Sequence, residues 1–478
     1  MTINSGSVAD YVPADQDVES VGKWRILKNI AVISVAFLLQ FTAFQGTGSL
    51  QSSINAAGGL GTTSLSAVFG AIIISCAFIP TLAIRKLTAK WTLCLSMLCY
   101  VPYIMSQFYP QFYTLIPAGC LAGLGAAPMW AAQSTYLTQV AYIYARVTQQ
   151  PPEAAIVRFF GIFYLCWQSA ELWGNLISGL VLSAPHTNET DASDYTLCGA
   201  NFCASKLKDI ANLHRPPDRE IFTIMGIYLA CICLAVILLI FLLDPPTMYG
   251  EERGGGKVSA VKLLVATFRQ LRKPNQLLLV PLTTFIGMEQ ANFAADLTQA
   301  FISCTLGISE IGFILVSFGL CNSLFSLIFG FLTKKFGRIW ILIIGLIAIS
   351  ACYLIMLLWQ PSPHQKWMFF LICCLYALGD SILQIQINGM YGAIFEKNKE
   401  AAFSNYRLFE SLGYLVTYAL STVLCARTKL ISALGLLVIG TVGWIVVEWR
   451  VKSSKSFESN KLDETKATHA EVYKVIEG

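Results

Sequence analysis

The chain has 478 residues, 55% of them hydrophobic and only 13% charged, with a formal net charge of +5. A soluble domain averages about a quarter charged residues. Half that share over this length cannot coat a particle in water, so an ordinary soluble enzyme is excluded and lipid is the expected solvent. Residues 1–27 are a polar tail without an apolar h-region, so the first hydrophobic helix is expected to act as the insertion signal. The C-terminus carries no lipidation or retention signal.

A spanning helix needs about 20 mostly apolar residues. Twelve such runs follow in chain order, near 28–50, 63–84, 92–108, 114–144, 157–183, 221–243, 277–304, 309–333, 339–359, 367–394, 401–425 and 429–448. The predicted fold is all-α: a polytopic membrane protein of twelve transmembrane helices. It divides into a first six-helix bundle (28–243), a linker (244–276), a second bundle (277–448) and a C-terminal tail (449–478).

With the N-terminus in the cytosol, the inner loops hold Arg85, Lys86, Lys90, Arg146, the linker cations, Lys334, Lys335, Arg338, Lys397 and Lys399. The short outer loops after helices 1, 3 and 7 hold none; those after 9 and 11 hold Lys366, Arg427 and Lys429. Basic residues mark the cytosolic side, so both termini are expected there. The long outer loop 184–220 carries the sequon Asn188-Glu189-Thr190, an expected glycosylation site. It also carries Cys198-Gly-Ala-Asn-Phe-Cys203, for which a short disulfide between Cys198 and Cys203 is the expected reading. Cysteines within apolar runs, such as Cys231, Cys233, Cys373 and Cys374, are expected to be apolar filler.

The linker contains Gly254-Gly-Gly-Lys257, but Val258 stands where a phosphate loop needs a hydroxyl. It is expected to be flexible, with a basic stretch placed to lie against anionic lipid. The halves repeat weakly. Gln168-Ser-Ala-Glu171-Leu-Trp-Gly174 matches Arg407-Leu-Phe-Glu410-Ser-Leu-Gly413 at an offset of 239 (410 − 171). Arg85-Lys86 matches Lys334-Lys335 at 249 (335 − 86). Two like six-helix bundles are the major-facilitator plan.

Charges inside spans are costly unless they face protein or water. The acids there are Glu171, Glu289, Asp296, Asp380 and Glu410, and Arg407 is the one clearly intramembrane base. Helical spacing puts Glu289, Asn292, Asp296 and Gln299 on one face, and Gln168, Glu171, Asn175 and Ser178 on another. Arg407, Glu410, Tyr414 and Thr417 form a third stripe, and Asp380, Gln384 and Asn388 a fourth. One reading is an acidic cavity suited to a cation or to proton exchange, with the face of Glu289 and Asp296 the best candidate. The other is interhelical glue. Arg407 and Glu410 are expected to form a structural ion pair. No metal-ligand spacing, catalytic triad or nucleic-acid motif is visible, and no cofactor is implied.

Several segments together carry a family resemblance: Leu50-Gln-Ser-Ser-Ile-Asn, Tyr109-Pro-Gln-Phe-Tyr-Thr-Leu-Ile-Pro, Ala127-Pro-Met-Trp, Gly174-Asn-Leu-Ile-Ser, Cys198-Gly-Ala-Asn, and Phe395-Glu-Lys-Asn-Lys-Glu-Ala-Ala-Phe-Ser-Asn-Tyr-Arg. They resemble the Unc-ninety-three (uncoordinated) family, its A-type homologues most closely, from helix 1 to helix 12. The resemblance implies a major-facilitator-type fold and a role as accessory subunit regulating a potassium channel, in the plasma membrane; a related branch escorts innate immune receptors. Ordinary facilitators carry G-x-x-x-D-R-x-G-R after helix 2. This chain has Thr81-Leu-Ala-Ile-Arg85-Lys86-Leu-Thr-Ala-Lys90 there, and Gly330-Phe-Leu-Thr-Lys334-Lys335-Phe-Gly337-Arg338 in the second half. The acid is absent from both, which weighs against a transport cycle. The expected function is therefore non-enzymatic regulation of a membrane partner, with secondary transport of a small solute or cation as the alternative and receptor escort as a third reading.

Overall fold

The computed structural model describes residues 22–182, 194–203, 213–245, 260–395 and 399–476. The first crossing is α1 (Lys23–Ile54). The second and third share α2 (Leu60–Leu98), which turns at Thr88 and is continued by α3 (Val101–Met105). Next come α4 (Phe112–Val147), α5 (Pro152–Leu182) and α6 (Asp218–Leu242). Helix α7 (Ala260–Leu271) lies in the connection between halves. The seventh crossing is α8 (Pro274–Asn292), a π-helical stretch (Phe293–Ser303) and the short α9 (Cys304–Leu306). Then follow α10 (Glu310–Phe336), α11 (Arg338–Leu358), α12 (Lys366–Ile394), α13 (Lys399–Leu420) and α14 (Ala426–Ile476). The result is twelve crossings in two six-helix bundles. The face where α1 begins is called the terminal face below, and the opposite one the distal face.

Local chemistry starts and ends these helices. Gln111 and Thr114 form a reciprocal capping box that opens α4 after the Tyr109-Pro turn. Asp218 and Glu220 place negative charge in the first turn of α6, where the helix dipole favours it. The outside is apolar: Leu358 is 85% and Phe241 77% exposed, values that water would penalise and lipid does not. Among the described residues eight helices are apolar enough by themselves to cross a membrane. The crossings that fall short include α5, α8 and α13, the ones bearing Glu171, Glu289 and Glu410. Their polar stripes dilute the hydropathy because those stripes face protein.

Backbone approach is closest at matching places in the two halves. A Cβ on Gly174 of α5 would lie 2.5 Å from the Thr42 carbonyl of α1 and 3.1 Å from the Cα of Gly46. A Cβ on Gly413 of α13 would lie 2.1 Å from the Thr284 carbonyl of α8, and one on Gly287 1.9 Å from the Glu410 carbonyl. The offsets are 239 (413 − 174) and 241 (287 − 46). Small residues let helices meet closely in lipid, where packing drives association. The turns correspond too: Thr88 (φ 70, ψ 163) and Gly337 (φ 81, ψ 157) are 249 apart (337 − 88) and share one conformation.

At the terminal face each half has its own tie. Buried Lys90 donates from Nζ to the carbonyls of Ile240 (2.8 Å) and Leu243 (2.7 Å), capping α6. Arg338 pairs with Glu448 of α14 at 2.9 Å. Lys90 is thus not a solvated loop cation, as its place in the sequence suggests. Asp244 joins α1 to the end of α6, meeting Arg25 (2.8 Å), Asn29 (3.1 Å) and Lys28 (3.3 Å). Burial acts to raise its pKa, but the donors Arg25, Asn29 and Lys28 outweigh it and hold the carboxyl down to about 2.

Candidate functional site

The bundles meet along α2 with α13, α5 with α10, and α1 with the π-helical stretch. A Cβ on Gly312 of α10 would lie 2.3 Å from the Gly179 nitrogen of α5. On the other seam Phe69 of α2 stacks on Tyr414 of α13, ring centres 3.9 Å apart and planes within 4°. The polar residues singled out from the sequence gather between these contacts.

Asp380 of α12 is the hub. Its Oδ2 accepts from Asn322 of α10 (2.9 Å) and its Oδ1 from Gln290 of α8 (3.2 Å). Gln290 in turn accepts from the Tyr414 hydroxyl. One chain of contacts thus runs from α2 through α13, α8 and α12 to α10. The fully buried Glu289 carboxyl abuts Asp380, and Glu171 of α5 lies within electrostatic range of both. Tyr376 donates to the Glu289 carbonyl (2.6 Å), and Tyr353 bridges Tyr376 (3.2 Å) and Asn292 (3.2 Å). Three acids from three helices therefore share one region of the seam.

Arg407 and Glu410 form the ion pair that the i, i+3 spacing predicts, at 2.7 Å, and Tyr406 donates to the other Glu410 oxygen (3.3 Å). The Arg407 guanidinium lies over Trp130 of α4, 5.9 Å from the ring centre, across from the opposite bundle. Half of its side chain is accessible although protein from both halves surrounds it, so Arg407 lines the space between the bundles. Gln168 reaches across the other seam to Ser326 (3.3 Å).

Asp296, which its spacing places on the face of Glu289, is paired elsewhere. The π-helical stretch widens the turn after Asn292, and Asp296 pairs with Lys429 of α14, both side chains almost fully buried. Asp296 is thus paired with Lys429, apart from Glu289, whose buried carboxyl lies beside Asp380. Lys429 is a second intramembrane base, read from the sequence as an outer-loop cation. The clue was there: it is a cation on the side that basic residues avoid.

The distal face is closed by covalent and hydrogen bonds between the halves. Cys198 is joined to Cys304 at the end of the seventh crossing, and Cys203 to Cys425 before α14. The expected Cys198–Cys203 disulfide is therefore not formed; each cysteine reaches the second bundle instead. Sequence proximity favoured the short loop, whereas the fold seats the segment 194–203 across the other half. There the Ala426 amide donates to the Phe202 carbonyl (2.8 Å) and Gln360 to the Cys198 carbonyl (3.3 Å). Beside it Ser52 bonds Thr298 and Ser53 bonds Ser303, both at 2.9 Å. Asn188 lies outside the described residues. Among the described residues no group of His, Cys, Asp and Glu is arranged to hold a metal.

Comparison with known proteins agrees with this architecture. The profile of the UNC-93 family, described as ion channel regulatory protein, matches residues 51–445. Protein unc-93 homolog A of Xenopus laevis is 40% identical over 428 residues, 88% of this chain and 93% of that protein. The human homolog A is 37% identical, with 89% and 93% covered. The Caenorhabditis elegans protein unc-93, named for potassium channel regulation, is 30% identical over 89% of this chain and 61% of its own length. Among solved structures, the nucleoside transporter NupG aligns with a TM-score of 0.61 at 13% identity over 87% of this chain and 98% of its own. The xylose transporter XylE from E. coli, inward open, gives 0.60 at 12%, covering 88% and 96%. At such identities they share the fold.

Proposed function

The chain belongs to the UNC-93 family of ion channel regulatory proteins, and from that premise we propose that it is a non-enzymatic regulatory partner of an ion channel, a potassium channel by its likeness to the nematode protein. The observation that carries this reading is the match along nearly the whole chain, at up to 40% identity. The structure supports it in two ways. Three of the five intramembrane acids are bonded to side chains of the chain itself: Asp380 to Asn322 and Gln290, Glu410 to Arg407, Asp296 to Lys429. And the distal face is bridged between the halves at the end that a transporter opens in half its cycle. The terminal face is read as cytosolic, since disulfides form on the oxidising side, and the membrane as the plasma membrane. Affinity purification of the tagged chain from native membranes is expected to bring down a channel subunit. Channel currents and channel location that are unchanged on deletion of the gene overturn this reading.

Glu171 and the accessible Arg407 favour one second reading, transport of a small solute or cation through the space between the bundles. An uptake that survives Glu171→Gln and Glu289→Gln removes the acidic cluster from that role.

A further inference from the structure

Helix α7 turns two large apolar side chains away from the protein. A turn of 3.6 residues places Val265, Phe268 and Arg269 within one arc and Thr267 and Gln270 on the other side. Thr267 and Gln270 face protein and are 8% and 2% exposed. The Thr267 carbonyl accepts from Asn405 of α13 (3.0 Å), and Gln270 reaches Gln276 at the start of α8 (3.5 Å). The outward side carries Val265 at 49% and Phe268 at 56% exposed. Three exposed cations accompany them, Arg269 on the helix and Arg272 and Lys273 in the turn that follows, and the sequence between Ala260 and Met288 holds no acidic residue. Apolar side chains beside fixed cations match one surface, the boundary where acyl chains meet phosphate headgroups. Long basic side chains rise from that boundary to the phosphates while their stems stay in the apolar layer.

We propose that α7 is a docking surface for anionic phospholipid of the leaflet at the terminal face. Phe268 and Val265 enter the acyl boundary, and Arg269, Arg272 and Lys273 hold headgroup phosphates. The helix is bonded through Thr267 to Asn405, two residues before Arg407. Lipid on α7 therefore bears on the helix that carries the Arg407–Glu410 pair. The inference rests on the polarity and exposure of α7; the proposed function contributes only the identity of the leaflet as cytosolic, where anionic lipid is concentrated.

The test uses the full-length protein in nanodiscs of phosphatidylcholine alone or mixed with phosphatidylserine, with native mass spectrometry of retained lipid and hydrogen exchange over 260–273. Wild type is expected to retain phosphatidylserine selectively and to protect α7 in its presence, less so at high salt. Each cation near the surface contributes about a fivefold preference, so Arg269→Gln, Arg272→Gln and Lys273→Gln together are expected to lower it roughly a hundredfold. Phe268→Ser weakens protection without changing charge, and a triple change to the other basic residue at each position keeps selectivity, which separates lipid binding from misfolding. Selectivity unchanged in the neutral triple variant overturns the proposal. So does inorganic phosphate that displaces the lipid, since it shows an anion site without a membrane component. Channel regulation plays no part in this readout, so the two readings stand or fall separately.

Discussion

Lys429 donates to Asp296 at the distal end of the seam, and the two side chains are only 6% and 5% exposed. Neither charge has water to fall back on. Removing one partner of a buried pair costs about 3–5 kcal/mol because the other charge remains buried alone. Lys429→Met is therefore expected to lower the melting temperature of the detergent-solubilised protein sharply, whereas Lys429→Met with Asp296→Leu recovers most of the loss. Equal damage from the single and double variants argues that packing, not charge, holds this corner.

The turn between the second and third crossings places a β-branched residue, Thr88, at φ 70, where its counterpart in the second half is Gly337. A positive φ in such a residue stores about 1–3 kcal/mol. Thr88→Gly should stabilise the protein, offset in part by glycine's freedom in the unfolded chain, and Gly337→Thr should destabilise it. Thermal melts of the two exchanges are expected to move in opposite directions.

Gly413 has no room for a side chain: its Cβ would meet the Thr284 carbonyl at 2.1 Å. Gly413→Val must push α13 from α8, with an expected loss of about 1–3 kcal/mol. Gly389, with nothing within 4 Å of its Cβ, is the control, and Gly389→Ala should be neutral or slightly stabilising. Comparable losses at both positions count against the close α8–α13 approach.

Much of this was legible in the chain itself. Twelve apolar runs fixed the crossings because lipid leaves a backbone no alternative to the helix. Intramembrane charges pointed to the seam because nothing else could solvate them. Arg407 and Glu410 were readable as a pair because three residues of helix set their separation. The partners of Asp296, Cys198 and Cys203 were not, because each comes from a distant segment: 133 residues away for Lys429, 106 for Cys304 and 222 for Cys425. Local spacing holds no information on such contacts. The π-helical turn that redirects Asp296 is equally silent, since the stretch Phe293–Ser303 has the composition of an ordinary helix.

Peptide mapping without reduction checks the disulfides directly. It is expected to find Cys198 with Cys304 and Cys203 with Cys425, and no peptide linking Cys198 to Cys203. Loss of either bridge through Cys304→Ser or Cys425→Ser is expected to cost about 2–4 kcal/mol.

Asp244 supplies a pH signature at the terminal face. Its carboxyl is held down to about 2 in the folded protein, so its contribution is complete above about pH 4 and is lost as pH falls from there through about 2. The half-exposed Arg25 and Lys28 screen part of the effect, leaving about 1–2 kcal/mol. Asp244→Asn should remove that acid-sensitive portion and leave the rest of the stability–pH curve in place, as read from melts between pH 6 and 3.

The bridge from Cys203 to Cys425 makes a ring of the polypeptide, and residues 246–259 lie on its circumference. A protease that nicks the chain there severs the main-chain connection between the bundles without separating them. The nicked molecule should migrate as one species until a thiol is added, and then as two. Genetic fusion is therefore not the only thing that makes these twelve helices one molecule; oxidation does so a second time.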